Sequence, residues 1–146
     1  KAVAFQEDLQ PDYKDYCKQV IANSKALAAT LVERGLRIVS GGTDTHLFLL
    51  DLTKQDLTGK QVEAALGQAG ITVNKNTIPR ETRSPFVTTG IRIGTPALTT
   101  KGMKENEMQT IGNWIADVIG DVENESLHTS IKAEVRKLCE GFPLYR

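Results

Sequence analysis

The sequence predicts an α+β domain in which a small, mostly antiparallel sheet is covered on one face by amphipathic helices. Three observations carry this expectation. Four stretches repeat apolar residues at three- and four-residue steps, the spacing of a helix with one buried face. Four short runs, 36–39, 46–52, 71–73 and 91–93, read instead as strands. Glycines, prolines and capping residues fall between these segments, where chain reversals need them.

Lys1 to Gln10 has helix-forming composition and reads as the end of a connecting helix, interrupted by Pro11. Proline is tolerated in a first turn, so a second helix starts there and runs to the stop at Gly35. Tyr13, Tyr16, Cys17, Val20, Ile21, Leu27, Ala28, Leu31 and Val32 mark its buried face. Leu36–Val39 and His46–Leu52 form an antiparallel pair joined by Ser40-Gly41-Gly42-Thr43-Asp44-Thr45, which supplies positive φ angles and side-chain turns. Thr58-Gly59-Lys60-Gln61 is a capping box opening a helix that Gly70 ends, and Ile71–Val73 then gives a third strand. Asn74 to Phe86 is the longest stretch without a period, and a loop of that length in a compact domain is more often functional than idle. The fourth strand centres on Arg92, flanked by Ile91 and Ile93, with Gly90 and Gly94 supplying turn chemistry at its ends. Thr99 and Thr100 are expected to cap a helix carrying Met108, Ile111, Trp114, Ile115, Val118 and Ile119. Gly120 breaks it, and a last helix buries Leu127, Ile131, Val135 and Leu138, with His128 expected on its solvated face.

The chain has 146 residues, enough for one domain with its own core. Eighteen basic residues balance eighteen acidic ones without long like-charge runs, so there is no electrostatic footprint for nucleic acid or an anionic membrane. No apolar segment approaches bilayer length, and a cytosolic setting is expected. The two cysteines, Cys17 and Cys139, suit reduced, partly buried thiols.

Chemistry concentrates around Arg92. Side chains alternate along a strand, so Arg92 points away from the face that buries Ile91 and Ile93, towards either water or a cleft. In a cleft its planar fork is suited to grip a carboxylate through two parallel hydrogen bonds. Asn76, in the adjoining polar loop, has the donors and acceptor to match the edge of a heterocycle. Other candidates are weaker. Asp44 and His46 form a conceivable acid–base pair, although a structural histidine is the better reading without a neighbouring nucleophile. Lys75 lies in a polar run without the apolar shelter a covalent catalyst needs. Gly41-Gly42 lacks the spacing and lysine of a phosphate loop. No complete catalytic set, metal cluster or dinucleotide fingerprint is visible in the sequence.

Ser40-Gly41-Gly42-Thr43-Asp44, Thr58-Gly59-Lys60, Ile71-Thr72-Val73-Asn74-Lys75-Asn76 and Ser84 through Pro96 occur in an order and at intervals that resemble the C-terminal small domain of bacterial-type serine hydroxymethyltransferase. The resemblance covers essentially the whole chain, residues 1–146. It implies a domain of a fold type I, pyridoxal-phosphate-dependent transferase that interconverts serine and glycine and passes a one-carbon unit to tetrahydrofolate. It further implies that Arg92 holds the substrate α-carboxylate, that Asn76 contacts the folate, and that the full enzyme is a cytosolic homodimer. The large domain that binds most of the cofactor is expected outside these residues, and the chain alone is expected to be inactive. The competing readings are a stand-alone amino-acid-binding or regulatory module, and a scaffold that only mediates protein contacts.

Overall fold

The computed structural model describes residues 1–144. In chain order it contains helices α1 (Ala2–Asp8) and α2 (Pro11–Glu33), strands β1 (Arg37–Ile38) and β2 (Leu47–Asp51), and helix α3 (Gly59–Gln68). Strands β3 (Asn74–Asn76) and β4 (Gly90–Gly94) follow, then helices α4 (Pro96–Thr100), α5 (Glu105–Gly120) and α6 (Glu125–Glu140). The strands form one antiparallel sheet in the order β1-β2-β4-β3. The expected α+β architecture is the observed one. No helix among the described residues is long and apolar enough to cross a membrane.

Period-two alternation separates the two faces of this sheet. Ile38, Phe48, Leu50, Ile91 and Ile93 are buried with Leu27 and Leu31 of α2, Val62 and Leu66 of α3, and Met108 and Ile115 of α5. The opposite face carries exposed Arg92 and Asn74 with half-buried Leu47 and Leu49. Helices therefore cover one side only. α1 buries none of its residues.

A polar network fastens α2 to the segment after β4. Asn23, fully buried, donates from Nδ2 to Thr99 Oγ1 and to the Met103 carbonyl, both at 2.9 Å, and its Oδ1 accepts from Gln19 at 3.0 Å. Thr95 Oγ1 donates to the Val20 carbonyl at 2.9 Å. Burying an amide is costly unless its bonds are made, and here donors and acceptor are used. The cysteines are free and half-buried, as expected.

Two elements and one side chain differ from the sequence reading beyond a residue or two at strand ends. The third strand is Asn74–Asn76, not Ile71–Val73. The Ile71 amide instead completes the stop of α3 by donating to the Leu66 carbonyl at 2.8 Å, while Gly70 takes a left-handed φ of 79°. Pairing with β4 then overrides the poor strand propensity of two asparagines and a lysine. Thr99 and Thr100 are not caps but the end of the short helix α4, and α5 begins later, with Glu107 accepting from the Lys104 amide at 2.8 Å. His128 is buried, at 2% exposure, rather than solvated. The steps 128–131–135–138 put it on the stripe that packs inward, and its Nδ1 meets Gln68 Oε1 on α3 at 3.0 Å.

Candidate functional site

Arg92 sits mid-way along β4, opposite Leu49 of β2 on one side and Asn74 of β3 on the other. It is exposed, as alternation requires, on the face the helices leave open. Its Nη2 donates to Asn74 Oδ1 across a long 3.5 Å, and no carboxylate among the described residues pairs with it. The guanidinium is thus fixed at its base by a central strand, with its fork free to take an anion. Asn76 lies two residues from Asn74 and shares its face, paired with Gly90. Its Nδ2 donates to the Thr77 carbonyl at 2.8 Å, which leaves its carbonyl oxygen for a ligand.

Lys75 is turned the other way. Its ammonium lies 3.6 Å from Glu63 Oε2 on α3, and its amide donates to Glu63 Oε1 at 2.9 Å. Lys75 is thus held against α3 rather than standing on the Arg92 face. Asp44 pairs with Lys25 at 3.2 Å and makes no hydrogen bond to the His46 ring, so the conceivable acid–base pair is not assembled. The Gly41-Gly42 turn is closed by hydroxyls, with Thr43 Oγ1 donating to the Leu47 carbonyl at 2.7 Å, and it leads into β2 rather than a helix.

The loop between β3 and β4 is organised by a residue that sequence reasoning missed. Glu81 accepts from Thr89 Oγ1 at 2.5 Å, from the Thr89 amide at 2.8 Å and from the Arg83 and Thr82 amides at 3.0 and 3.1 Å. The Ile78 amide adds a longer contact at 3.4 Å. Burial on its own would raise the Glu81 carboxyl, but the Thr89 hydroxyl and the Arg83, Thr89 and Ile78 amides together pull it down to about 2. The only signal in the sequence is a carboxylate among threonines in a proline-bounded loop.

A depressed value means that the charged form stabilises the fold above the ordinary value of 4.5, and that this stabilisation is lost as pH falls towards about 2. Glu81→Gln removes the charge at every pH. The stability gap between wild type and Glu81→Gln is therefore expected to be widest at neutral pH and to close on acidification, in thermal melts recorded from pH 7 to about pH 2. A gap that stays constant over that range contradicts the assignment.

The loop ends by docking on α3. The Gly59 and Lys60 amides, at the start of that helix, donate to the Thr88 and Val87 carbonyls, both at 3.1 Å. Thr88 holds a left-handed φ of 57°, uncommon for a β-branched residue, with its hydroxyl donating to the Gly90 carbonyl at 3.2 Å. The backbone entering the Arg92 strand is thereby held from two sides.

Fold and site together define an α+β domain that presents, among the described residues, an arginine without a carboxylate partner and two asparagines on the open face of its sheet. A family model described as "Serine hydroxymethyltransferase" matches residues 1–115. The chain is 55% identical over 145 residues to the serine hydroxymethyltransferase of Halorhodospira halophila, covering 99% of this chain and 35% of that protein. It is 54% identical to that of Alkalilimnicola ehrlichii and 53% identical to that of Coxiella burnetii, in each case over all of this chain and 35% of the relative. The chain belongs to the serine hydroxymethyltransferase family, and it spans about a third of the length of these curated relatives.

Proposed function

We propose that these residues are the C-terminal small domain of a serine hydroxymethyltransferase, and that Arg92 binds the α-carboxylate of serine or glycine. The observation that carries this reading is the Arg92 guanidinium, rigidly mounted on β4 and held by only one long contact to Asn74. A bidentate bond to the carboxylate fixes the amino acid by one end and sets the direction of its Cα bonds. Asn76, on the same face, offers its amide to the heterocycle of tetrahydrofolate, the acceptor of the one-carbon unit. The register of β3 against β4 puts the two side chains on one surface, which supports assigning them to the two co-substrates.

When bound, pyridoxal phosphate supplies a conjugated ring that takes up the electron pair of the broken bond. The side chains around Arg92 are Leu49 and Asn74, and Lys75 is engaged by Glu63, so among the described residues this part of the face offers a single free cation, which this reading assigns to the substrate's carboxylate rather than to the cofactor. In this reading the cofactor is held by the remaining two thirds of the enzyme, in a cytosolic homodimer. Arg92 and Asn76 then bind and orient, and the bond-breaking groups come from elsewhere.

Titration of this chain with serine by calorimetry tests the reading. No measurable heat of binding is expected, because one solvent-screened arginine lacks both a partner for the ammonium group and a closed pocket. Stoichiometric binding by the chain alone would favour a stand-alone amino-acid-binding module.

A further inference from the structure

β3 is the weakest element of the sheet and carries half of the proposed site. It has three residues, all of poor strand propensity, and β4 is its only neighbour in the sheet. Two of those residues face the ligand side. Asn74 touches Arg92, and Asn76 lies one ladder step further on. Something must hold this edge in register for the two asparagines to stay where they are.

Glu63 makes the required contacts. One carboxylate oxygen accepts from the Lys75 amide at 2.9 Å, so the edge strand's outward donor is capped. The other lies 3.6 Å from the Lys75 ammonium, with the two side chains only 31% and 35% exposed. Partial burial makes such a pair worth more than a fully solvated one. Glu63 is itself on α3, whose first amides carry the end of the β3–β4 loop, so both strands of the site are referenced to the same helix.

We propose that Glu63 is a positioning residue for the substrate surface, acting through Lys75 to set β3 and with it Asn74, Asn76 and the orientation of Arg92. This rests on the carboxylate reading of Arg92 given above. Lys75 is the link between helix and strand, which accounts for a lysine between two ligand-facing asparagines.

The test uses the intact enzyme and two readouts. In Glu63→Gln and Lys75→Met, hydrogen exchange followed by mass spectrometry is expected to speed up across Asn74–Asn76. KM for serine and for tetrahydrofolate is expected to rise together by roughly two- to fivefold, with kcat within about twofold of wild type. Lys75→Arg, which keeps the charge, is expected to bring both KM values back towards wild type. Unchanged exchange in Glu63→Gln overturns the clamp. Faster exchange with unchanged KM, in an enzyme where Arg92→Lys does raise KM, overturns the positioning role. An unaltered KM in Arg92→Lys itself sinks the carboxylate reading, and the positioning role with it, while the exchange data still decide whether the clamp exists.

Discussion

Arg92→Lys in the intact enzyme is expected to raise KM for serine by roughly 10- to 100-fold, since one hydrogen bond to a charged group contributes about 1.5–3 kcal/mol. Lysine keeps the positive charge, so any loss beyond a small one measures the geometry of the fork. A guanidinium meets both carboxylate oxygens in its own plane, whereas an ammonium is a point charge that leaves the acid free to swivel. Swivelling changes which Cα bond lies ready for cleavage, so kcat is expected to fall as well as KM to rise. The fold should hardly notice. Arg92 is exposed and makes one long hydrogen bond, so the melting temperature of the variant is expected to stay close to wild type. Steady-state kinetics indistinguishable from wild type would remove Arg92 from the site.

The largest effect on stability is expected from Gly59→Ala. A Cβ there would lie 2.2 Å from Thr88 Oγ1 and 2.3 Å from the Gly90 carbonyl oxygen. The hydroxyl can turn aside only at the cost of its bond to Gly90, and the carbonyl belongs to β4 and cannot move without the strand. Alanine is the better helix former by up to about 1 kcal/mol, and this gain is overwhelmed by a clash that separates α3 from the loop it docks. A net loss of about 3 kcal/mol is expected, lowering the melting temperature by roughly 10 °C in calorimetry. A melting temperature equal to or above wild type would show that this contact is looser than described. Because the clash sits where the Arg92 strand is entered, serine binding by the intact enzyme is expected to weaken in parallel.

Much of this architecture was legible from spacing. The long helix to Gly35, the capping box at Thr58, and the isolation of Arg92 from Ile91 and Ile93 all follow from local rules that the tertiary structure does not override. The misreadings share a cause. The strand at Asn74–Asn76 is made by its partner and by Glu63, not by its own propensity, so a local reading places the strand on the β-branched run just before it. His128 reads as solvated when Leu127 is taken to open the apolar stripe of the last helix, although its spacing from Ile131 and Val135 puts it among the core positions. Glu81 and Glu63 act on groups 8 and 12 residues away, and nothing in a linear pattern distinguishes them from solvated glutamates. The candidate site was therefore readable as two separate residues, Arg92 and Asn76. The scaffold that brings them to one face was not.

The sheet also has an unusual boundary. Its outer strands are two and three residues long, and a charged side chain on each is paired, Arg37 of β1 with Asp51 of β2 and Lys75 of β3 with Glu63 of α3. A longer, bare border would invite a strand from another molecule, particularly beside an open face that exposes part of Leu47 and Leu49. The capped Lys75 amide closes one of the few donors through which such a chain could join. A guard against edge-to-edge strand addition is thus built into the same short strand that carries Asn74 and Asn76.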